Sequence, residues 1–143
     1  MKKKMLKSFI LNSIMKSGKK CTAEKIVLKS FKLLQKQRFK KNYIFILKSA
    51  IINSAPIFKL KKLKKKRKLT IEFPFLLNNR LKISSGIKNI LKQTRQKDSQ
   101  SFYNNLNLEM VKSSKLIGES TKLKKEVHQT AFLKKKFINY MWF

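Results

Sequence analysis

Apolar residues recur at three-to-four spacing along most of the chain, and the period changes once, to strict alternation, near the middle. Met5, Leu6, Phe9, Ile10 and Ile14 mark one face of a first helix, with Gly18 where a C-terminal cap would fall. Ala23, Ile26, Val27, Phe31 and Leu34 line a second, whose remaining surface carries Lys25, Lys29, Lys32 and Lys36. Asn42 is placed to cap a third helix bearing Ile44, Leu47, Ala50 and Ile51. That helix must stop near Ser54, because Pro56 restricts the residue before it. Phe58 and Leu60, then Leu69, Ile71 and Phe73, alternate with polar neighbours. Two short strands therefore flank Lys61 to Lys68, and Pro74 confines the second to an edge or an end.

The helical period then resumes. A fourth helix begins near Asn78 or Asn79, turns Ile83, Ile87, Ile90, Leu91 and Thr94 inward, and ends around Lys97. Asp98 to Ser101 connect it to a fifth helix carrying Phe102, Leu106, Met110 and Val111, which Gly118 interrupts. The last pattern holds Val127, Ala131, Phe132 and Phe137 and closes in Tyr140, Trp142 and Phe143. No internal repeat appears. The expectation is a single domain over residues 1–143, mainly α: a helical bundle of about six helices with one inserted β-hairpin, a basic ribbon at about 57–75.

Charge narrows the function. The 143 residues include 37 Lys plus Arg against 6 Asp plus Glu, a formal charge of +31, and self-repulsion on that scale opposes a compact isolated state. Cations spread over the whole chain suit a polyanion, nucleic acid or an anionic membrane surface, better than a small anionic substrate. At 42% apolar, the chain is too hydrophobic for a disordered basic tail and sufficient for one modest core. No window approaches the roughly 18 uncharged apolar residues of a membrane span. Lys7, Asn12 and Ser13 break the apolar start that would otherwise resemble a signal peptide. Lys outnumbers Arg 33 to 4, and Asn, Ile and Phe are frequent, as an AT-rich organellar or reduced bacterial genome would encode.

Catalytic chemistry finds no foothold. One cysteine, Cys21, and one histidine, His128, supply neither a disulfide nor a four-ligand zinc site, so no cofactor or metal is expected. His128 lacks a nucleophile partner and is read as structural or RNA-contacting. Glu24, Glu72, Asp98, Glu109, Glu119 and Glu126 form no paired-carboxylate motif, and most are read as helix-face partners of nearby lysines.

A resemblance sharpens this picture. The segment FILNSIMKSGKKCTAEKIVLKS, with Gly18-Lys19-Lys20, the pair Ile26-Val27 and the small Ser30, resembles the signature region of the family of the seventh protein of the small ribosomal subunit. FILKSAIINSAP at 45–56 is similar to the family's helix leading into its ribbon, and Thr70 to Pro74 is similar to the T-Y-Q-V-P that closes it. Leu106 to Met110 resembles L-x-x-E-L, with Gly118 between it and His128. Lys124, Lys125, Glu126, Val127, His128, Phe137, Tyr140 and Trp142 follow the closing pattern apart from one residue fewer before the valine. The ribbon tip carries Lys64, Lys65, Lys66 and Arg67 where the family has a Gly-Gly pair, which removes the basis for a glycine-dependent turn. Met141 replaces the arginine before the terminal Trp, and the basic arm ahead of the first helix is short.

The resemblance implies a structural constituent of the small subunit that binds the 3′ major (head) domain of its rRNA and nucleates head assembly. It implies a place near the mRNA exit path and exit-site tRNA, beside ribosomal protein eleven, as a single copy rather than a homo-oligomer. Because the matched region starts within about five residues of Met1, leaving no room for a presequence, synthesis inside an organelle is expected, a mitochondrion in preference to a plastid, with an endosymbiont cytoplasm as the alternative. Candidate RNA-binding residues are the basic end Lys2, Lys3 and Lys4, and the inter-helix corner Lys19 and Lys20. The ribbon adds Lys61, Lys62, Lys64, Lys65, Lys66, Arg67 and Lys68; the fourth helix adds Arg80, Lys82, Lys88 and Arg95. The last helix adds Lys122, Lys124 and Lys125, and the end of the chain Trp142. The same charge also suits a histone-like compacting protein or a basic amphipathic membrane-surface protein.

Overall fold

Between Pro56 and Asn78 the bundle gives way to a two-stranded ribbon, where the hydrophobic period changes. The computed structural model describes residues 3–37, 42–64, 70–96 and 101–142. In chain order these form α1 (Lys3–Ile14), α2 (Lys20–Gln37), α3 (Tyr43–Ser54), β1 (Phe58–Lys64), β2 (Thr70–Leu76), α4 (Asn79–Arg95), α5 (Phe102–Ser114) and α6 (Glu119–Leu133). A 3-10 helix, Lys135–Trp142, follows. The fold is mainly α with one inserted hairpin, as the pattern of apolar positions predicts.

The core is the meeting place of the inner faces of α1 to α5, with Ile10, Val27, Leu34, Ala50, Ile90 and Leu106 fully enclosed. In α3 the buried apolar positions are Ile46, Leu47, Ala50 and Ile51, with Ile44, expected inside, only half-buried. Gly18 lies in the α1–α2 turn at φ +72°, beside Ser17 at +49°, left-handed backbone that costs an L-residue roughly 1–2 kcal/mol and glycine little.

In the ribbon β1 and β2 pair antiparallel from Phe58 opposite Leu76 to Lys64 opposite Thr70. Both strands of a two-stranded ribbon are edges, the setting in which Pro74, opposite Leu60, is tolerated. The tip, residues 65–69, lies outside the described residues, and with it the expected glycine-free turn.

The terminal pattern departs from expectation. The α-helix closes at Leu133, where the Lys134 N–H still reaches the Thr130 carbonyl, and the chain tightens to the three-residue Phe137-to-Lys134 bond of a 3-10 helix. Phe132, grouped with the inner residues Val127 and Ala131, is 68% exposed, because one helical step of about 100° past Ala131 carries it off the buried row.

Candidate nucleic-acid interface

Alternation along β1 sends Phe58 and Leu60 toward the fold and leaves Lys59 and Lys61 exposed. The Lys61 ammonium lies 3.4 Å from the centroid of the Phe75 ring on β2, which steadies its stem across the pair. Lys62, in phase with Leu60 yet exposed, faces Glu72 at 3.2 Å, and the other Glu72 oxygen accepts from Lys134, beyond α6. The bond from Lys134, then that from Lys62, holds the Glu72 carboxyl below its ordinary range.

The base of the ribbon is tied to α6. The Ile57 N–H donates to His128 Nε2 at 3.0 Å, and the Phe58 ring meets the imidazole edge-on at 6.0 Å. Burial, then the nearby Lys124 cation, pushes the His128 pKa down, favouring the neutral ring that can accept this bond. His128 is thus a structural anchor.

On α4, Lys88, Lys92 and Arg95 recur at four- and three-residue spacing and form one exposed stripe. With Phe9, Asn12 and Ser13 of α1 they line an open groove of about 740 Å³, across which Arg95 Nη2 donates to the Ser13 carbonyl at 3.3 Å. The Arg80 guanidinium stands 5.9 Å from the Phe9 ring, and Lys82 is half-buried on the same helix. A second groove, about 460 Å³, runs between the ribbon and α4 and is lined by Lys59, Lys61, Phe75, Ser84 and Lys88. Ser84 and Lys88 belong to both grooves. The ribbon cations and the α4 stripe are therefore one continuous surface. Asn12 also borders a shallow depression with Lys7, Lys20 and Glu24, so the α1–α2 corner carrying exposed Lys19 and Lys20 adjoins it.

The α6 candidates are placed differently. Lys122 pairs with Glu119 at 2.8 Å, which raises its pKa, and Lys125 is exposed. Lys124 is half-buried, donates to the Ile52 carbonyl at 3.3 Å near the C-terminal end of α3, and has its pKa lowered by burial. None of the three lines either groove. Lys2, Lys65, Lys66, Arg67 and Lys68 lie outside the described residues, as do the side chains of Lys3, Lys4, Lys64 and Trp142.

Two features escape the sequence pattern. Lys92 belongs with Lys88 and Arg95, and its spacing in α4 was the available signal. Glu109 is no helix-face partner: fully buried, it accepts from the Ser120 N–H at 3.1 Å and from Ser113 Oγ at 3.3 Å. Ser113 and Ser120 hydroxyls meet at 2.6 Å, and Ser120 meets Ser54 at 2.9 Å, so α3, α5 and α6 are joined in one polar knot. Among the described residues no group of His, Cys, Asp or Glu is arranged to hold a metal ion, and no helix is long and apolar enough to cross a membrane.

Comparison with known proteins decides the identity of this basic bundle: the family model for ribosomal protein S7p/S5e matches residues 1–135. The chain belongs to that family. Small ribosomal subunit protein uS7 of Alkaliphilus metalliredigens is 26% identical over 138 residues, covering 96% of this chain and 87% of the relative. The uS7 of Stenotrophomonas maltophilia (strain K279a) is 26% identical over 132 residues, covering 92% and 83%. Small ribosomal subunit protein uS7c of Euglena gracilis is 29% identical over 134 residues, covering 94% and 85%. An S7p/S5e protein is a structural, non-enzymatic constituent of the small ribosomal subunit, whose partners are that subunit's RNA and proteins.

Proposed function

We propose that this S7-family protein binds the 3′ major domain of small-subunit rRNA and nucleates folding of the head. Its continuous lysine surface neutralises phosphates where RNA strands converge. The observation that supports this most is that Lys88 borders both grooves, so the ribbon and the α1–α4 face present their cations to one ligand. Recognition is of RNA shape, since the A-form major groove hides base edges from side chains. Lys19 and Lys20 extend the contact, as do the ribbon tip Lys64 to Lys68 and the Lys2 to Lys4 end, while Trp142 stacks on an unpaired base. The protein acts as a single copy near the mRNA exit path and exit-site tRNA, beside ribosomal protein eleven.

Its ribosome is organellar, mitochondrial in preference to plastid; the lysine-for-arginine composition and the likeness to an organellar relative, uS7c, support the organelle and not the choice between the two. Binding to separate transcripts of the 3′ major and 5′ domains tests the core of the proposal. At least tenfold tighter binding to the 3′ major transcript is expected, and equal affinity for the two, or for duplex DNA, would contradict it. Fractionation of organelles followed by sedimentation tests the placement, with recovery in plastid rather than mitochondrial small subunits as the contrary result.

A further inference from the structure

The face carrying α3 and the α5–α6 corner differs in kind from the basic grooves. Phe45 and Ile52 stand two helical turns apart on the outer side of α3, 63% and 66% exposed. Leu116 and Ile117 at the α5–α6 corner are as open, at 63% and 68%. The two sites are held together: Asn53 Nδ2 donates to the Ser113 and Ser114 carbonyls at 3.0 and 3.2 Å, and Lys124 from α6 reaches the Ile52 carbonyl. The corner is also strained in a way that keeps its apolar pair outward. The Ile117 N–H bonds to the Lys112 carbonyl and the Leu116 N–H to the Ser113 carbonyl, a Schellman ending with Leu116 in the left-handed region at φ +65°. Glycine or asparagine normally occupies that position, and a leucine there costs stability without gaining burial in the free chain.

The rim is cationic: Lys48 on α3, Lys112 on α5 and Lys115 just beyond its end are exposed, while the nearby Glu119 is engaged by Lys122. A second copy of the chain would bring another formal +31 against this rim. RNA would meet the lysines but offers poor partners for Ile52, Leu116 and Ile117, because bases stack on aromatic and guanidinium planes rather than on branched aliphatic side chains. An apolar centre ringed by cations fits a protein surface with an apolar centre and a carboxylate rim.

We infer that Phe45, Ile52, Leu116 and Ile117 dock an acidic segment of another protein in the assembled small subunit, with Lys48, Lys112 and Lys115 facing its carboxylates. This rests on the chain's membership of the small subunit and is independent of which RNA domain the basic grooves bind.

The test places a photoreactive benzoylphenylalanine at Phe45 or at Leu116 in the full chain, with Lys92 as a comparison position, and irradiates assembled small subunits. Each labelled chain is first checked for co-sedimentation with the subunit. Adducts from positions 45 and 116 to one and the same other protein, at a peptide rich in Asp and Glu, are expected, and position 92 should capture RNA. Reversing the rim with Lys112→Glu and Lys115→Glu should lower the protein adduct at least fivefold. Adducts from 45 and 116 to RNA or to a second copy, no adduct from either, or a yield unmoved by charge reversal would overturn the inference. If a label at position 45 or 116 prevents assembly, Ile52→Lys with Leu116→Lys, both at exposed positions, is used instead. Loss from the subunit of one acidic protein, with helical content unchanged, supports the inference, and unchanged subunit composition overturns it. Failure of position 92 to capture RNA counts against the RNA-binding proposal alone.

Discussion

Two residues carry consequences out of proportion to their size. Gly118 precedes α6 where a Cβ would come within 2.9 Å of both Glu109 Oε1 and the Ser113 nitrogen. The atoms it would meet are held in the buried knot of Glu109, Ser113 and Ser120, so they have little room to yield. Gly118→Ala is expected to destabilise the chain by about 1–3 kcal/mol, seen as a Tm several degrees lower by circular dichroism. An unchanged Tm would mean that the knot relaxes freely. His128 makes the second case. Its neutral Nε2 accepts the Ile57 N–H, and a proton there would set donor against donor. The folded pKa is depressed, so the contribution is complete above the ordinary histidine value of about 6.5 and is lost as pH falls through the lower folded value. Because this is the one histidine of the chain, an NMR titration reads it without assignment ambiguity. A pKa below about 6.5 is expected, and one above it would deny the anchor.

Among the elements, the ribbon depends on the end of the chain. Glu72 gathers Lys62 from β1 and Lys134 from beyond α6, so one carboxylate joins the two strands to the terminal helix. Glu72→Gln is expected to raise hydrogen exchange at the amides of Ile71 to Phe73 several-fold while leaving α4 unchanged, since exposed ion pairs add little global stability yet hold local geometry. Equal protection in both proteins would show that packing alone orients the ribbon. The ribbon was legible in the sequence because a half-buried strand must alternate, and the bundle because each helix buries one stripe, from Ile10 to Met110. What stayed hidden has physical causes. Phe132 follows Ala131 in an apolar run, but it stands one helical step off the buried row, with the Lys135 ammonium 4.9 Å from its ring centroid. Glu109, amid lysines, has the look of a surface acid until the tertiary approach of Ser113 and Ser120 encloses it. Lys124 sits in a basic run that suggests RNA, while folding turns it onto the Ile52 carbonyl of α3. Lys88, Lys92 and Arg95 are one stripe by helical spacing, but only the packing of α4 beside α1 and the ribbon makes the stripe a shared wall of two grooves.

For the molecule as a whole, charge sets the terms. Six carboxylates cannot neutralise 37 basic side chains, and two of the six, Glu72 and Glu119, are already engaged with lysines. The apolar interior fixes where the remaining cations project, and a polyanion must balance them. Binding driven by phosphate neutralisation releases counterions, so each phosphate engaged adds about 0.7–0.9 to the slope of log affinity against log salt concentration. The most direct measurement is that slope for the full chain on the 3′ major domain transcript, repeated with Lys88→Glu and Lys92→Glu combined. A steep linear fall is expected for the natural chain, flattened in the variant by about 0.7–0.9 for each phosphate it no longer engages. A slope that the variant leaves unchanged, or binding indifferent to salt, would contradict a basic surface centred on α4 and the ribbon.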